Sequence, residues 1–115
     1  IMHGGEDNPT VFKGATVRDA LFVMTEKGLG ATNVIDEEGH LLGLVTDGDV
    51  RRALTANGAD TLNKTAKELM TSSPKTIHEN EFLAKAEDLM KEKKIHSLVV
   101  VNDENNVVGL VEFSS

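Results

Sequence analysis

Apolar positions recur along this chain in one order of spacings, stated twice. Val17, Ala20, Leu21 and Met24 fall on one face of a 3.6-residue period, behind Thr16-Val17-Arg18-Asp19, which has the form of a capping box. The pattern predicts a helix that Gly28 stops. Two β-type runs follow, Ala31 to Ile35 and Leu41 to Val45, around the polar turn Asp36-Glu37-Glu38-Gly39. Gly48 to Asn57 then carries Val50, Ala53 and Leu54 at helical spacing, with Gly58 as its stop. Ala59 to Lys64 reads as a polar connector and Ala66 to Met70 as a single helical turn. Ser72-Ser73-Pro74 leads into a short extended segment, Lys75-Thr76-Ile77.

The second statement starts at Asn80, a candidate cap, and runs through the stripe Leu83, Ala86, Leu89 and Met90 to the basic turn Lys91 to Lys94. Its β-type runs are Leu98 to Val101 and Val107 to Val111, around Asn102 to Asn106. Residues 20–49 align without a gap on 86–115, an offset of 66, with identities that include Met24/Met90, Gly43/Gly109, Leu44/Leu110 and Val45/Val111. The expected organisation is two repeats, 1–58 and 59–115. The second is cut before its closing helix. Ile1-Met2-His3 resembles Leu69-Met70-Thr71, so the chain reads as a fragment excised inside one entry motif and inside the other repeat's exit.

A lone repeat of two or three strands is marginal in water, whereas two can cover each other across a pseudo-two-fold axis. The fold class is therefore α+β: two pseudo-symmetric repeats, each a small sheet flanked by helices, packed as one module. Their seam should be a cleft where strand ends and helix N-termini converge, and N-terminal N–H groups favour an anion.

Composition narrows the function. A chain of 115 residues makes one compact unit and has no room for separate substrate and cofactor domains. It has no Cys, which removes disulfides, thiol nucleophiles and thiolate zinc sites and fits a reducing compartment. The formal net charge of −7 repels phosphate backbones and anionic membranes, and four Phe offer little platform for base stacking. No apolar run approaches a membrane span and no secretion signal opens the chain, so the expectation is a cytoplasmic protein with neither nucleic-acid nor membrane partners.

The helix, the paired strands, the tandem offset and Gly43-Leu44-Val45-Thr46-Asp47-Gly48-Asp49 resemble a cystathionine-β-synthase-type pair, the CBS or Bateman module. In that family Gly-apolar-apolar-Thr-x-x-Asp closes the last strand and opens the final helix, and adenosine nucleotides commonly bind between the repeats. The resemblance implies ligand-binding roles for Thr46, Asp47, Asp49, Arg51 and Arg52. Asp49 has the chemistry to accept hydrogen bonds from both ribose hydroxyls, Thr46 offers a hydroxyl, and the arginines offer positive charge. The alternative is that Thr46 or Asp49 only caps the helix beginning near Gly48. In the second repeat Glu112 replaces the Thr and Ser115 stands where the Asp would be, so a ligand is expected to favour the site owned by Asp49.

Within the family, Leu42 to Arg52, preceded by Lys27-Gly28-Leu29-Gly30, is similar to the C-terminal module of bacterial arabinose-5-phosphate isomerases, as is the entry Ile1-Met2-His3-Gly4-Gly5. The resemblance implies a parent with an N-terminal sugar-isomerase domain, absent here, that interconverts ribulose 5-phosphate and arabinose 5-phosphate for the lipopolysaccharide sugar Kdo. It also implies a homodimer through the pair. AMP, ADP, ATP or the end product CMP-Kdo become the candidate regulatory ligands, with no cofactor required.

Other chemistry is poorly represented. Asp47-Gly48-Asp49 lacks the further ligands and closing Glu of an EF-hand, and His3, His40, His78 and His96 are scattered, so no metal site is expected. Lys91, Lys93 and Lys94 read as a solvated helix end, and Met24, Met70 and Met90 as core fillers. No catalytic residue is assigned, since no Ser-His-Asp order or Gly-x-Ser-x-Gly elbow occurs. The fragment itself is expected to be no enzyme.

Overall fold

The structure, a computed structural model, describes residues 2–5, 8–82, 84, 85, 88, 91 and 97–112. The second helical stripe, Leu83, Ala86, Leu89 and Met90, lies outside the described residues, as do Lys93, Lys94, His96 and Ser115.

Among the described residues, the hydrophobic runs become the elements expected of them. After β1 (Met2–Gly4) and β2 (Thr10–Phe12) comes α1 (Val17–Lys27), which opens on the reciprocal Thr16/Asp19 capping box. It closes at Gly28, whose φ of 69° is the left-handed conformation that glycine adopts without Cβ strain. The hairpin β3 (Ala31–Ile35) and β4 (Leu41–Thr46) leads directly into α2 (Asp47–Asn57). The stretch read as a connector is instead a 3-10 helix, Gly58–Asn63. Buried Thr61 stabilises it by donating its hydroxyl to Ala53 O at 3.0 Å, a tertiary bond that local polarity does not encode.

The one-turn helix α3 (Ala66–Leu69), β5 (Thr71–Ser72) and β6 (Thr76–His78) follow. Asn80 is not a cap. It lies inside a 3-10 turn, Glu79–Glu81, whose N-cap is His78: the Asn80 backbone N–H donates to His78 Nδ1 at 3.1 Å. Helical residues follow from Phe82, and β7 (Ser97–Val101) and β8 (Val107–Glu112) complete the described chain.

The strands form two four-stranded sheets, ordered β2-β3-β4-β5 and β1-β8-β7-β6. The repeat offset persists in the register: Ala31 pairs with Thr46 as Ser97 pairs with Glu112, and a bulge interrupts Val34/Ile35 as it does Val100/Val101. Each repeat also lends its entry strand to the other sheet. His3 and Gly4 pair with Leu110 and Gly109 just as Thr71 and Ser72 pair with Leu44 and Gly43. The likeness of Met2-His3 to Met70-Thr71 in the sequence is thus a shared structural position.

Three apolar clusters hold these layers. Val17, Ala20 and Met24 of α1 pack with Val11, Val34, Val45, Val50 and Ala66 beneath the first sheet. Ile77, Leu98, Val100 and Val111 pack beneath the second. Between the sheets, Ala31 and Leu44 meet Val99, Val101 and Leu110, so the seam is itself a hydrophobic core. At one edge of that seam the hairpin turns hydrogen-bond across the pseudo-two-fold: Leu41 N donates to Asn105 O at 3.1 Å, and Val107 N to Gly39 O at 3.3 Å.

Candidate ligand-binding site

Thr46 ends β4 with extended backbone (φ −107°, ψ 162°) and starts α2 in the next residue. Its Oγ1 accepts the Asp49 backbone N–H at 3.1 Å, while Asp49 Oδ2 accepts the Thr46 backbone N–H at 3.0 Å. Both readings of these residues as a cap therefore hold together, as one capping box. Asp49, with a side chain only 14% exposed, also receives Arg52 Nη2 at 2.8 Å and the Thr71 hydroxyl at 3.4 Å. Arg51 Nη1 donates to Asp47 Oδ1 at 3.0 Å. The two arginines thus meet carboxylates of their own helix, in exposed pairs that add little to stability.

Next to this turn lies a cavity of about 630 Å³ at the seam. Thr46, Asp47, Gly48 and Arg51 line it from the β4–α2 turn. The crossing segment adds Thr71, Ser73, Pro74 and Lys75, and β7 and β8 add Ser97 and Glu112. Its volume falls within the roughly 300–1,000 Å³ of small-molecule sites. Of the residues singled out in the sequence, Thr46, Asp47 and Arg51 line the cavity. Asp49 and Arg52 do not; Asp49 stands behind Thr71, to which it is bonded.

Glu112, the counterpart of Thr46 in the second repeat, faces the same cavity that Thr46 lines. Its Oε2 accepts the Gly30 backbone N–H at 3.0 Å, a bond between the two repeats. The antiparallel hairpins place Thr46 beside Ala31 and Glu112 beside Ser97, and face-to-face packing of the sheets brings Gly30 and Glu112 together.

The residues missed from the sequence are Gly30, Thr71, Ser73, Lys75 and Ser97. Ser73, with φ 53°, is a non-glycine residue in the left-handed region, which marks the sharp path of the crossing segment past the cavity mouth. Ser-Ser-Pro signalled a turn there, but nothing local signalled what it would face. Among the described residues no group of three or more His, Cys, Asp or Glu is placed to hold a metal ion, and no helix is long and apolar enough to cross a membrane.

The CBS domain family model matches residues 5–56 and 66–114. The chain belongs to the CBS domain family. This CBS pair is 67% identical over 107 residues to a probable arabinose 5-phosphate isomerase of Haemophilus influenzae, covering 93% of this chain and 32% of that protein. The chain spans about a third of the length of the curated relatives it matches. Among solved structures it is similar to CBSX2 in complex with AMP, with a TM-score of 0.79 and 29% identity, covering 96% of this chain and 85% of that one. A CBS domain pair in complex with 5′-methylthioadenosine and S-adenosyl-L-methionine superposes with a TM-score of 0.80 at 27% identity, covering 96% and 85%. The ligands of these two neighbours all carry adenosine; CMP-Kdo has no counterpart in either.

Proposed function

We propose that this CBS pair is the ligand-sensing regulatory module of an arabinose-5-phosphate isomerase and takes an adenosine nucleotide in the seam cavity. The observation that carries the reading is the cavity itself. It is bounded on one side by the N-terminal turn of α2 and on the other by β7, β8 and the crossing segment, so an occupant touches both repeats at once. Thr46 and Thr71 present hydroxyls and Lys75 presents a cation, groups suited to phosphate and ribose. Asp49, which stands behind Thr71, would reach the ribose diol by giving up both the Thr71 hydroxyl and its exposed Arg52 partner.

Regulation requires the nucleotide to bind one arrangement of the repeats better than another. A tenfold preference corresponds to ~1.4 kcal/mol of coupling to the catalytic domain. The likeness to arabinose 5-phosphate isomerases supports that host, and the lent strand β1 lies in the second sheet beside β8, which ends at Glu112.

The test is thermal unfolding with adenosine, AMP, ADP and ATP. A ligand at a hundredfold excess over its Kd stabilises by ~2.7 kcal/mol. No shift with any of the four rejects the nucleotide reading. Sugar-phosphate isomerisation by the full-length enzyme, with and without the stabilising nucleotide, tests the regulation.

A second reading, a dimerisation module without a small ligand, draws on Phe22 of α1, 66% exposed, and Phe12 of β2, 59% exposed. A monomeric Phe22→Asp variant that keeps its nucleotide response would show the two roles to be separable.

A further inference from the structure

We infer that Glu112 sets the charge specificity of the cavity, so that the nucleoside and its monophosphate are accepted and polyphosphorylated nucleotides are disfavoured. The inference rests on the nucleotide reading above and deepens it. Among the described residues, four formally charged side chains line the cavity: Asp47, Arg51, Lys75 and Glu112. Asp47 and Arg51 neutralise each other at 3.0 Å. Among the described residues, no ion pair engages Glu112; the bond recorded for its carboxylate comes from the uncharged N–H of Gly30.

The position is unusual within the chain's own symmetry. The equivalent of Glu112 in the first repeat is Thr46, a neutral residue that lines the same cavity. One repeat therefore supplies a hydroxyl and the other an anion. Both carboxylates converge on Gly30: a Cβ there would stand in ordinary van der Waals contact with Glu112 Oε2 at 3.4 Å and Asp47 Oδ2 at 3.9 Å. The wall between the repeats is thus acidic, and among the described residues the cation left to face a phosphate is Lys75, on the crossing segment.

One lysine suits one phosphate. Each further phosphate adds negative charge that meets Glu112 within a partly enclosed cavity, where charges are screened less than in open water. The formal net charge of −7 acts in the same direction at longer range.

The test is titration calorimetry with adenosine, AMP, ADP and ATP, in the absence of divalent cations, on the protein and on Glu112→Gln, which keeps an acceptor for Gly30 N–H and removes the charge. The protein should bind AMP at least as tightly as ADP, and ATP about tenfold more weakly. In Glu112→Gln the ATP penalty should fall at least fivefold, with adenosine affinity changed less than twofold. Glu112→Thr, which copies Thr46, should give the same flattening if the Gln variant folds poorly. Equal binding of AMP and ATP by the protein, or an unchanged ATP penalty in folded variants, overturns the inference while leaving the nucleotide reading intact. Binding of none of the four overturns the nucleotide reading and this inference together.

Discussion

Thr46 and Asp49 cap one another at the start of α2: each side chain accepts the other's backbone N–H, at 3.1 and 3.0 Å. The residues proposed to bind the ligand are therefore also the local signal that turns a strand into a helix. Side chains that tie down a helix start typically contribute about 1 kcal/mol. Thr46→Ala and Asp49→Ala should each lower the unfolding free energy by about that amount, measured by denaturant titration. Loss of the nucleotide response in Asp49→Ala alone would assign the ribose contact to its carboxylate. Equal retention in both would leave Asp49 a cap only.

Leu110 is fully buried in the cluster that joins the two sheets. Leu110→Ala should cost about 2–5 kcal/mol through lost burial and the cavity left behind. Because Ala31 and Leu44 of one repeat share that cluster with Leu110 of the other, both halves should still melt in one transition at a lower temperature. Two separate transitions in calorimetry would contradict a common core.

Gly43 sits where β5 crosses β4, and a Cβ there would lie 2.7 Å from the Thr71 carbonyl oxygen and 2.5 Å from Met70 Sδ. Met70 can move, but the backbone of the lent strand cannot without breaking the Gly43–Ser72 and Leu44–Thr71 pairing. Gly43→Ala should therefore destabilise by about 1–3 kcal/mol. Hydrogen exchange should show faster amides in Thr71 and Ser72.

Asp36 closes the β3–β4 turn, with its Oδ1 accepting backbone N–H groups from Glu38 and His40, both at 2.9 Å. The His40 backbone N–H holds its carboxyl below the ordinary value of 3.8, against partial desolvation; the Glu38 N–H and the His40 ring add to the depression. A depressed folded pKa contributes stability that is complete above the ordinary carboxylate value and disappears as pH falls through the lower, folded one. Asp36→Asn should therefore flatten the loss of stability in that acid window. An identical acid-unfolding curve for the variant would contradict this.

Much of the architecture was legible because it is written in local periods. Val17, Ala20 and Met24 repeat at helical spacing, the β-type runs Ala31 to Ile35 and Leu41 to Val45 flank a polar turn, and each of these becomes the element predicted. The 3-10 helix at Gly58–Asn63 and the cap at His78 were not legible. The first depends on a bond from Thr61 to a helix eight residues earlier, and the second on an imidazole acting as acceptor, a role that residue preference does not announce.

The candidate site divides along the same line. Thr46 and Asp49 stand out in the sequence through the resemblance of Gly43 to Asp49 to the family motif, and the hydrogen bonds of their capping box close within four consecutive residues. Gly30 and Glu112, 82 positions apart, met only when two sheets had exchanged edge strands and buried a shared core. The sequence by itself determined the repeat, its helices and hairpins, and the turn that opens α2, since each follows from contacts a few residues long. Tertiary structure alone decided that an acid from one repeat and a threonine from the other line one cavity, because that proximity comes from packing across the seam, where chain separation imposes no order.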